Sequence, residues 1–306
     1  MNKTNEVALA KTKAGYVAII GKPNAGKSTL MNKIIGTKLS IVTPKPQTTR
    51  KRVLGIYSEN NTQIVFLDTP GIINPRYEMQ KTMMGYVVKS VEESDAVLVL
   101  IDLTKFEDFE SYFSLELTDV LKKTKKPKIL LINKIDTFKE IKEVLPLIKS
   151  ISDLNLFDDI IPISALKGEN VKSLIPTIEK YLPNSEFYYD PELLSTQPER
   201  FFVSEIIREQ VFISYAKEIP YSTEIAVVEF KERENGKWYI SAEIIIERGT
   251  QKRIIIGEKG AKLKEIGEKS RKAIEEHLDT PVYLELFVKV REKWRDNTGM
   301  LKSFGY

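Results

Sequence analysis

Cysteine is absent from the 306-residue chain and histidine occurs once, at His277. Thiol catalysis, disulfides and cysteine-ligated zinc are thereby excluded, and a reducing compartment suits the composition. His277 follows Glu275 and Glu276 in a charged, helical stretch, which predicts a surface or helix-end residue and not a metal ligand. No apolar run approaches the roughly 18 residues that a bilayer-spanning helix needs. Residues 1 to 13 are polar and lack the apolar stretch of a signal peptide, so a cytoplasmic protein is expected. There is no internal repeat or biased tract, and 42% hydrophobic residues over this length predict two ordinarily packed domains.

The net charge of +4 conceals where the charge lies. Residues 1 to 52 hold eleven Lys/Arg against Glu6 alone, and residues 248 to 272 hold nine against three acidic residues. Two basic zones in a balanced chain predict two polyanionic ligands. Nucleotide phosphates account for part of the first zone, and the second requires another ligand.

The run Gly21-Lys22-Pro23-Asn24-Ala25-Gly26-Lys27-Ser28 fits G-x-x-x-x-G-K-[ST] and directly follows the apolar residues 16 to 20. A strand leading through a glycine-rich turn into a helix aims successive N–H groups at one point and cradles phosphate there, with Thr29 completing the expected nucleotide-binding run. Gly21 and Gly26 admit the ligand close to the main chain. Lys27 reaches the β- and γ-phosphates as the main catalytic cation, and Ser28 offers its hydroxyl to Mg²⁺.

Asp68-Thr69-Pro70-Gly71 follows the apolar run 64 to 67, which places Asp68 near Mg²⁺ and the Gly71 N–H at the γ-phosphate. Asn133-Lys134-Ile135-Asp136 lies just past the apolar run 129 to 132. The Asp136 carboxylate can accept from the ring N–H and exocyclic amine of guanine, whereas adenine presents an acceptor at that ring nitrogen. Leaving the carboxylate unmet against the wrong base costs on the order of a few kcal/mol, so guanine is read over adenine. Lys134 can lay its stem over the base and Asn133 can tie its loop to the cradle. Ser164-Ala165-Leu166 can present N–H groups to the guanine O6.

Between cradle and Asp68, the stretch 43 to 50 (TPKPQTTR) occupies the place of a nucleotide-dependent switch, with Thr49 favoured over Thr48 to close on Mg²⁺ and serve catalysis. Ile72 stands where many small GTPases carry a water-orienting glutamine, so slow intrinsic hydrolysis is expected, resting on electrostatic stabilisation. Asn24 is a candidate ligand for a monovalent cation such as K⁺ between the phosphates, or a residue that braces its own loop.

Residues 16 to about 182 alternate apolar runs with helical patterns, which predicts an α/β domain with a mostly parallel sheet and helices on both faces. The expected division is a nucleotide-binding domain at 1–182, a proline-bearing linker at 183–198 and a second domain at 199–306. In the latter, a helix is expected from Arg200 to about Ala216, and strands at 224–230 and 238–247 around a turn at 234–236. The run Arg253 to Ile256 then meets Gly257-Glu258-Lys259-Gly260, followed by a basic helix from Ala261 to about Leu278 and a strand at 282–288. A helix meeting G-x-x-G and leading into a second helix beside a small sheet is the arrangement of a KH RNA-binding module. Lys259, Lys262 and Arg253 add charge, and Ile256, Leu263 and Ile266 are expected to floor an apolar groove for unstacked bases.

In these motifs the chain resembles the Era GTPases, which join a GTP-binding domain to a C-terminal type II KH domain. GKPNAGKS at 21 to 28, PQTTR at 46 to 50, DTPGI at 68 to 72, NKID at 133 to 136, SALKG at 164 to 168, IIGEKGAKLKEIG at 255 to 267 and PVYLELFVKVREKW at 281 to 294 fall in family order over nearly the whole chain. Ile72 is itself what that family shows. The resemblance implies binding of the 3′ end of 16S ribosomal RNA, assistance in 30S subunit maturation and peripheral association with the cytoplasmic face of the inner membrane; GTP/GDP and Mg²⁺ are the expected ligands and a monomer the expected state. The alternative is a GTPase switch acting on cell-cycle or membrane events through protein contacts of its second domain.

Overall fold

The computed structural model describes residues 12–104, 112–138, 140–233 and 236–306. The turn expected at 234–236 lies mostly outside them. Their contacts divide the chain into two compact units, neither contiguous. The first holds residues up to 37, 53–69 and 88–196; the second holds 38–52, 70–87 and 197–306.

In the first unit, β1 (Lys13–Gly21), β2 (Val53–Glu59), β3 (Thr62–Asp68), β4 (Ala96–Asp102), β5 (Lys128–Asn133) and β6 (Asp159–Pro162) form one sheet in the order β2-β3-β1-β4-β5-β6. Only β2 runs antiparallel, against β3. The central strands read as unbroken apolar runs because strands covered on both faces need no alternation. β1, β3, β4 and β5 are buried almost throughout. The chain turns from β3 on one side of β1 to β4 on the other, so the ligand-binding switch point of such a sheet lies beside the C-terminal end of β1. Helices α1 (Lys27–Ile35), α2 (Glu78–Glu93, of which 78–87 belong to the second unit), α3 (Leu115–Lys123), α4 (Leu145–Ser152) and α5 (Val171–Glu179) follow in the connections.

Residues 183–198, expected as a linker, are bonded to this unit. Gln63 Oε1 accepts from the Tyr188 and Tyr189 N–H groups at 2.8 and 3.0 Å, the Leu194 carbonyl accepts from Ile56 N–H at 2.8 Å, and Ser195 Oγ donates to the Leu54 carbonyl at 2.6 Å. Prolines stiffen the stretch, and its polar groups are nevertheless satisfied along β2 and β3.

In the second unit, α6 (Glu199–Ser214) precedes β7 (Glu224–Glu232), β8 (Trp238–Ile246), α7 (Gly249–Ile256), α8 (Ala261–Leu278), β9 (Val282–Val290) and the short α9 (Thr298–Ser303). β7 pairs antiparallel with β8, and β8 pairs parallel with β9. Their core is built from Val203, Ile207 and Val211 of α6, alternate residues Ile240, Ala242, Ile244 and Ile246 of β8, and Ile255, Ile266 and Ile274 of the two later helices. A second cluster joins Met79 and Met83 of α2 to Trp294 and Leu301. Among the described residues no helix is long and apolar enough to cross a membrane.

Candidate functional site

The cradle is built as its glycines require. Gly26 caps α1 at φ 98°, and a Cβ there would lie 2.2 Å from Asn133 Nδ2. Any side chain would therefore break the bond that locks the loop, in which Asn133 Nδ2 donates to the Ala25 carbonyl at 2.7 Å. Asn133 Oδ1 in turn accepts from the Ala165 N–H at 2.9 Å, so one buried amide side chain joins three loops. Lys27 is buried, and its Nζ donates to the Gly21 and Lys22 carbonyls at 3.2 and 3.0 Å. Burial pulls its pKa down to about 8, partly countered by Asp68. Ser28 Oγ donates to Asp68 Oδ2 at 2.7 Å, which places two hard oxygen donors together at the cradle's end.

Lys134 sits in the left-handed region at φ 69°, its ammonium ion-paired with Asp102. Asp136 follows in a single turn of 3₁₀ helix and is half-buried. Ser164 is fully buried, its N–H donating to the Glu169 carbonyl at 3.1 Å, while Leu166 is 70% exposed. Thr69, expected among the nucleotide-binding residues, is buried, and its hydroxyl donates to the Ile19 carbonyl at 2.7 Å.

Thr49, Pro70, Gly71 and Ile72 belong to the second unit. There the Thr48 hydroxyl is buried and bonded to the Lys45 carbonyl and to Thr43 Oγ1, both at 2.7 Å, while Thr49 is half-exposed. Arg50 is buried: Nη1 donates to the Thr223 carbonyl at 2.6 Å and meets Glu224 at 3.2 Å, and Nη2 donates to the Pro220 carbonyl at 2.7 Å. Ile72 is buried, so its side chain is packing material.

Gly257, at φ 71° and ψ −176°, occupies a region essentially reserved to glycine, and Gly260 caps α8. Beside them α8 and β9 border a groove of about 400 Å³, lined by Gly260, Leu263, Lys264, Gly267, Glu268, Arg271, Leu284 and Leu286. Of the residues expected to contact RNA, Gly260 and Leu263 line it. Ile266 does not: with Ser270 and Ile274 it forms the inward stripe of α8 and is 1% exposed, so the expectation that it floors the groove is corrected. Ile256 packs against the same core, while Arg253, Glu258, Lys259 and Lys262 are exposed around the turn. Lys264, Gly267, Glu268, Arg271 and the two β9 leucines are additions. Their signal was present, since 260, 264, 267 and 271 share one helical face and 284 and 286 one strand face.

A family model described as a 50S ribosome-binding GTPase matches residues 16–134, and a KH-domain model matches residues 218–295. The GTPase Era of Trichlorobacter lovleyi is 44% identical over 96% of the chain and 98% of its own length, and that of Geobacter sp. strain M21 is 45% identical over 97% and 98%. The chain belongs to the Era GTPase family. It is a GTPase with a mostly parallel nucleotide-binding sheet followed by a KH module. A crystal structure of Era with MgGDPNP and nucleotides 1506–1542 of 16S ribosomal RNA resembles it with TM-score 0.90 and 42% identity, covering 96% of this chain and 99% of that one. An Aquifex aeolicus Era variant bound to GDP·AlF₄⁻ matches with the same score, identity and coverage. His277, the one histidine, faces Glu199 at 2.9 Å, and no described cluster of three or more His, Cys, Asp or Glu could hold a metal.

Proposed function

We propose that the chain binds GTP with Mg²⁺ at the C-terminal edge of the first unit's sheet, hydrolyses it to GDP and phosphate, and holds the 3′ end of 16S ribosomal RNA in the groove beside Gly257–Gly260, assisting 30S subunit maturation. The carrying observation is the Asn133 side chain, which joins the phosphate cradle, the guanine-reading loop and the 164–166 loop through two buried hydrogen bonds. Guanine selectivity rests on Asp136. Guanine O6 would share the Ala165 N–H with Asn133 or take that of Leu166, because the Ser164 N–H is engaged.

Mg²⁺ fits Ser28 and Asp68, whose hard oxygens meet at 2.7 Å, and when bound it would neutralise phosphate charge. Lys27 carries the remaining charge stabilisation from this chain. For Thr49 as a further Mg²⁺ ligand and Gly71 as a γ-phosphate donor, the motif is the support. With Ile72 buried, no side chain there orients water, so intrinsic hydrolysis is slow. K⁺ at Asn24 would speed it, and equal rates in K⁺ and Na⁺ would remove that element.

RNA binding is supported by the exposed lysines around Gly257–Gly260, by the apolar groove next to them, and by the ribosomal RNA held in the similar Era structure. That bound RNA also disfavours a switch working through protein contacts alone. A cytoplasmic monomer is the expectation from the sequence, and peripheral inner-membrane association is carried over from the family resemblance.

Two measurements test the reading. GDP should bind at least about a hundredfold more tightly than ADP, with Asp136→Asn moving preference toward xanthine nucleotides; comparable ADP affinity refutes the guanine site. Gly260→Asp is a cleaner probe of the groove than Gly257→Asp, because a Cβ at 260 meets no atom within 4 Å whereas one at 257 would lie 2.8 Å from Lys262, so that only the backbone strain of φ 83° remains. It should abolish binding of a single-stranded 16S 3′-end oligonucleotide and leave GDP affinity unchanged. Retained RNA affinity refutes the groove.

A further inference from the structure

Asp102 closes β4 and belongs to none of the nucleotide motifs, yet its carboxylate is fixed toward the guanine-reading loop. In the parallel pairing of β4 with β5, Asp102 lies opposite Asn133, one residue before Lys134. Its Oδ1 accepts from the Thr104 N–H at 2.9 Å and the Thr104 hydroxyl at 2.8 Å, which sets the plane of the carboxylate and turns Oδ2 to the Lys134 ammonium. Lys134 itself holds φ 69°, a conformation seldom adopted by a residue with a Cβ, so the backbone and the tip of this side chain are both constrained.

We propose that Asp102 is a positioning residue for guanine recognition: by holding the Lys134 ammonium it stretches the aliphatic stem of Lys134 into place as the apolar bed for the base. This rests on the guanine reading of the site and adds to it a residue that touches no nucleotide. The pair is partly exposed, at 28% and 32%, so it contributes little as an ion pair. Its effect is pre-organisation. A lysine stem left free loses rotamer entropy each time a base settles on it, whereas one already held at both ends does not.

The test uses the full chain and labelled GDP, with ribose 5′-diphosphate as a ligand that lacks the base. Asp102→Asn keeps an acceptor for Thr104 and removes the charge. It should speed GDP dissociation roughly two- to fivefold, the range of a partly exposed pair, while ribose 5′-diphosphate affinity stays at the wild-type value. Lys134→Met keeps the stem and removes the ammonium, and should match Asp102→Asn. In the Lys134→Met background, Asp102→Asn should add nothing. GDP release at the wild-type rate in Asp102→Asn, an equal loss for ribose 5′-diphosphate, or multiplying effects in the double variant would each overturn the assignment. A wild type that fails to prefer GDP over ADP would instead overturn the guanine reading beneath it.

Discussion

Two sets of motif-bearing loops in this chain are held in opposite ways. Residues 21–28, 133–136 and 164–166 follow strands β1, β5 and β6 of one sheet and are locked to one another, chiefly through Asn133. Segments 38–52 and 70–87, which carry Thr49, Arg50, Gly71 and Ile72, pack as part of the second unit. Several polar groups of 38–52 are met by residues 167 to 253 positions away: Glu209 accepts from the Val42 N–H, Pro220 and Thr223 from Arg50, and Phe304 from Lys51. A loop fixed by its own sheet carries its geometry in its motif. A segment anchored by distant residues can be reset by whatever disturbs those anchors, which suits parts that must change with nucleotide state.

The largest effect that could break this contrast comes from Arg50→Ala. It strips the Pro220 and Thr223 carbonyls of a donor and leaves Glu224 short of a partner in a buried site, at about 3–5 kcal/mol. The second unit should unfold at lower denaturant, with GDP affinity close to wild type. Lost GDP binding in a stable Arg50→Ala protein would show that this arginine serves the cradle. Asn133→Ala is the counterpart in the first unit. Losing two buried bonds should cost about 2–4 kcal/mol and at least tenfold in GDP affinity, with RNA binding retained.

Legibility in the sequence follows the same line. The bounds of α8, from Ala261 to Leu278, were readable because the left-handed Gly260 before it and the apolar period within it are local signals. Strands β1, β3 and β5 were readable as unbroken apolar runs for the same reason. Partners far along the chain left no such trace. Nothing near Arg50 signals that its guanidinium is buried 5.5 Å from the Phe212 ring, and nothing in the proline-bearing stretch 183–198 signals its bonds to Gln63. Ile266 was misplaced because G-x-x-G gives no phase for the following helix, whereas Ser270 and Ile274, four and eight residues on, show that its face turns inward.

Tyr306→Phe sharpens the contrast with a smaller change. The Tyr306 hydroxyl donates to Glu224 Oε2 at 2.6 Å. Burial, then the nearby Glu224, push the phenol far above its ordinary pKa, so it stays a donor. Burial opposes the Glu224 charge, but Lys51, Arg50, Arg208 and Tyr306 together hold the carboxyl below its usual pKa. A depressed carboxylate stabilises above its unfolded pKa and ceases to do so as pH falls through the folded one. Removing the hydroxyl should cost about 1.5–2 kcal/mol at neutral pH and raise the midpoint of acid unfolding. An unchanged acid midpoint would mean that Glu224 is held without Tyr306.

The smallest expected effect tests the cradle alone. In the nucleotide-free protein Lys27 has a pKa of about 8, lowered first by burial, while a bound polyphosphate favours the ammonium and raises that value. The folded, empty site therefore releases a proton that the occupied site retains. By linkage, GDP affinity is flat below pH 8 and falls above it, to roughly a tenth of its neutral value at pH 9. Guanine also begins to ionise near the upper end of that range, so the comparison needs Lys27→Arg, whose guanidinium does not titrate there. That variant should bind more weakly at every pH, and its affinity should decline less between pH 7 and 9 than that of the wild type. Titration calorimetry at pH 7, 8 and 9 in two buffers of different ionisation enthalpy would also register proton uptake on binding by the wild type and not by the variant. Parallel curves for the two proteins would assign the pH dependence to the base and leave Lys27 fully charged in its cradle.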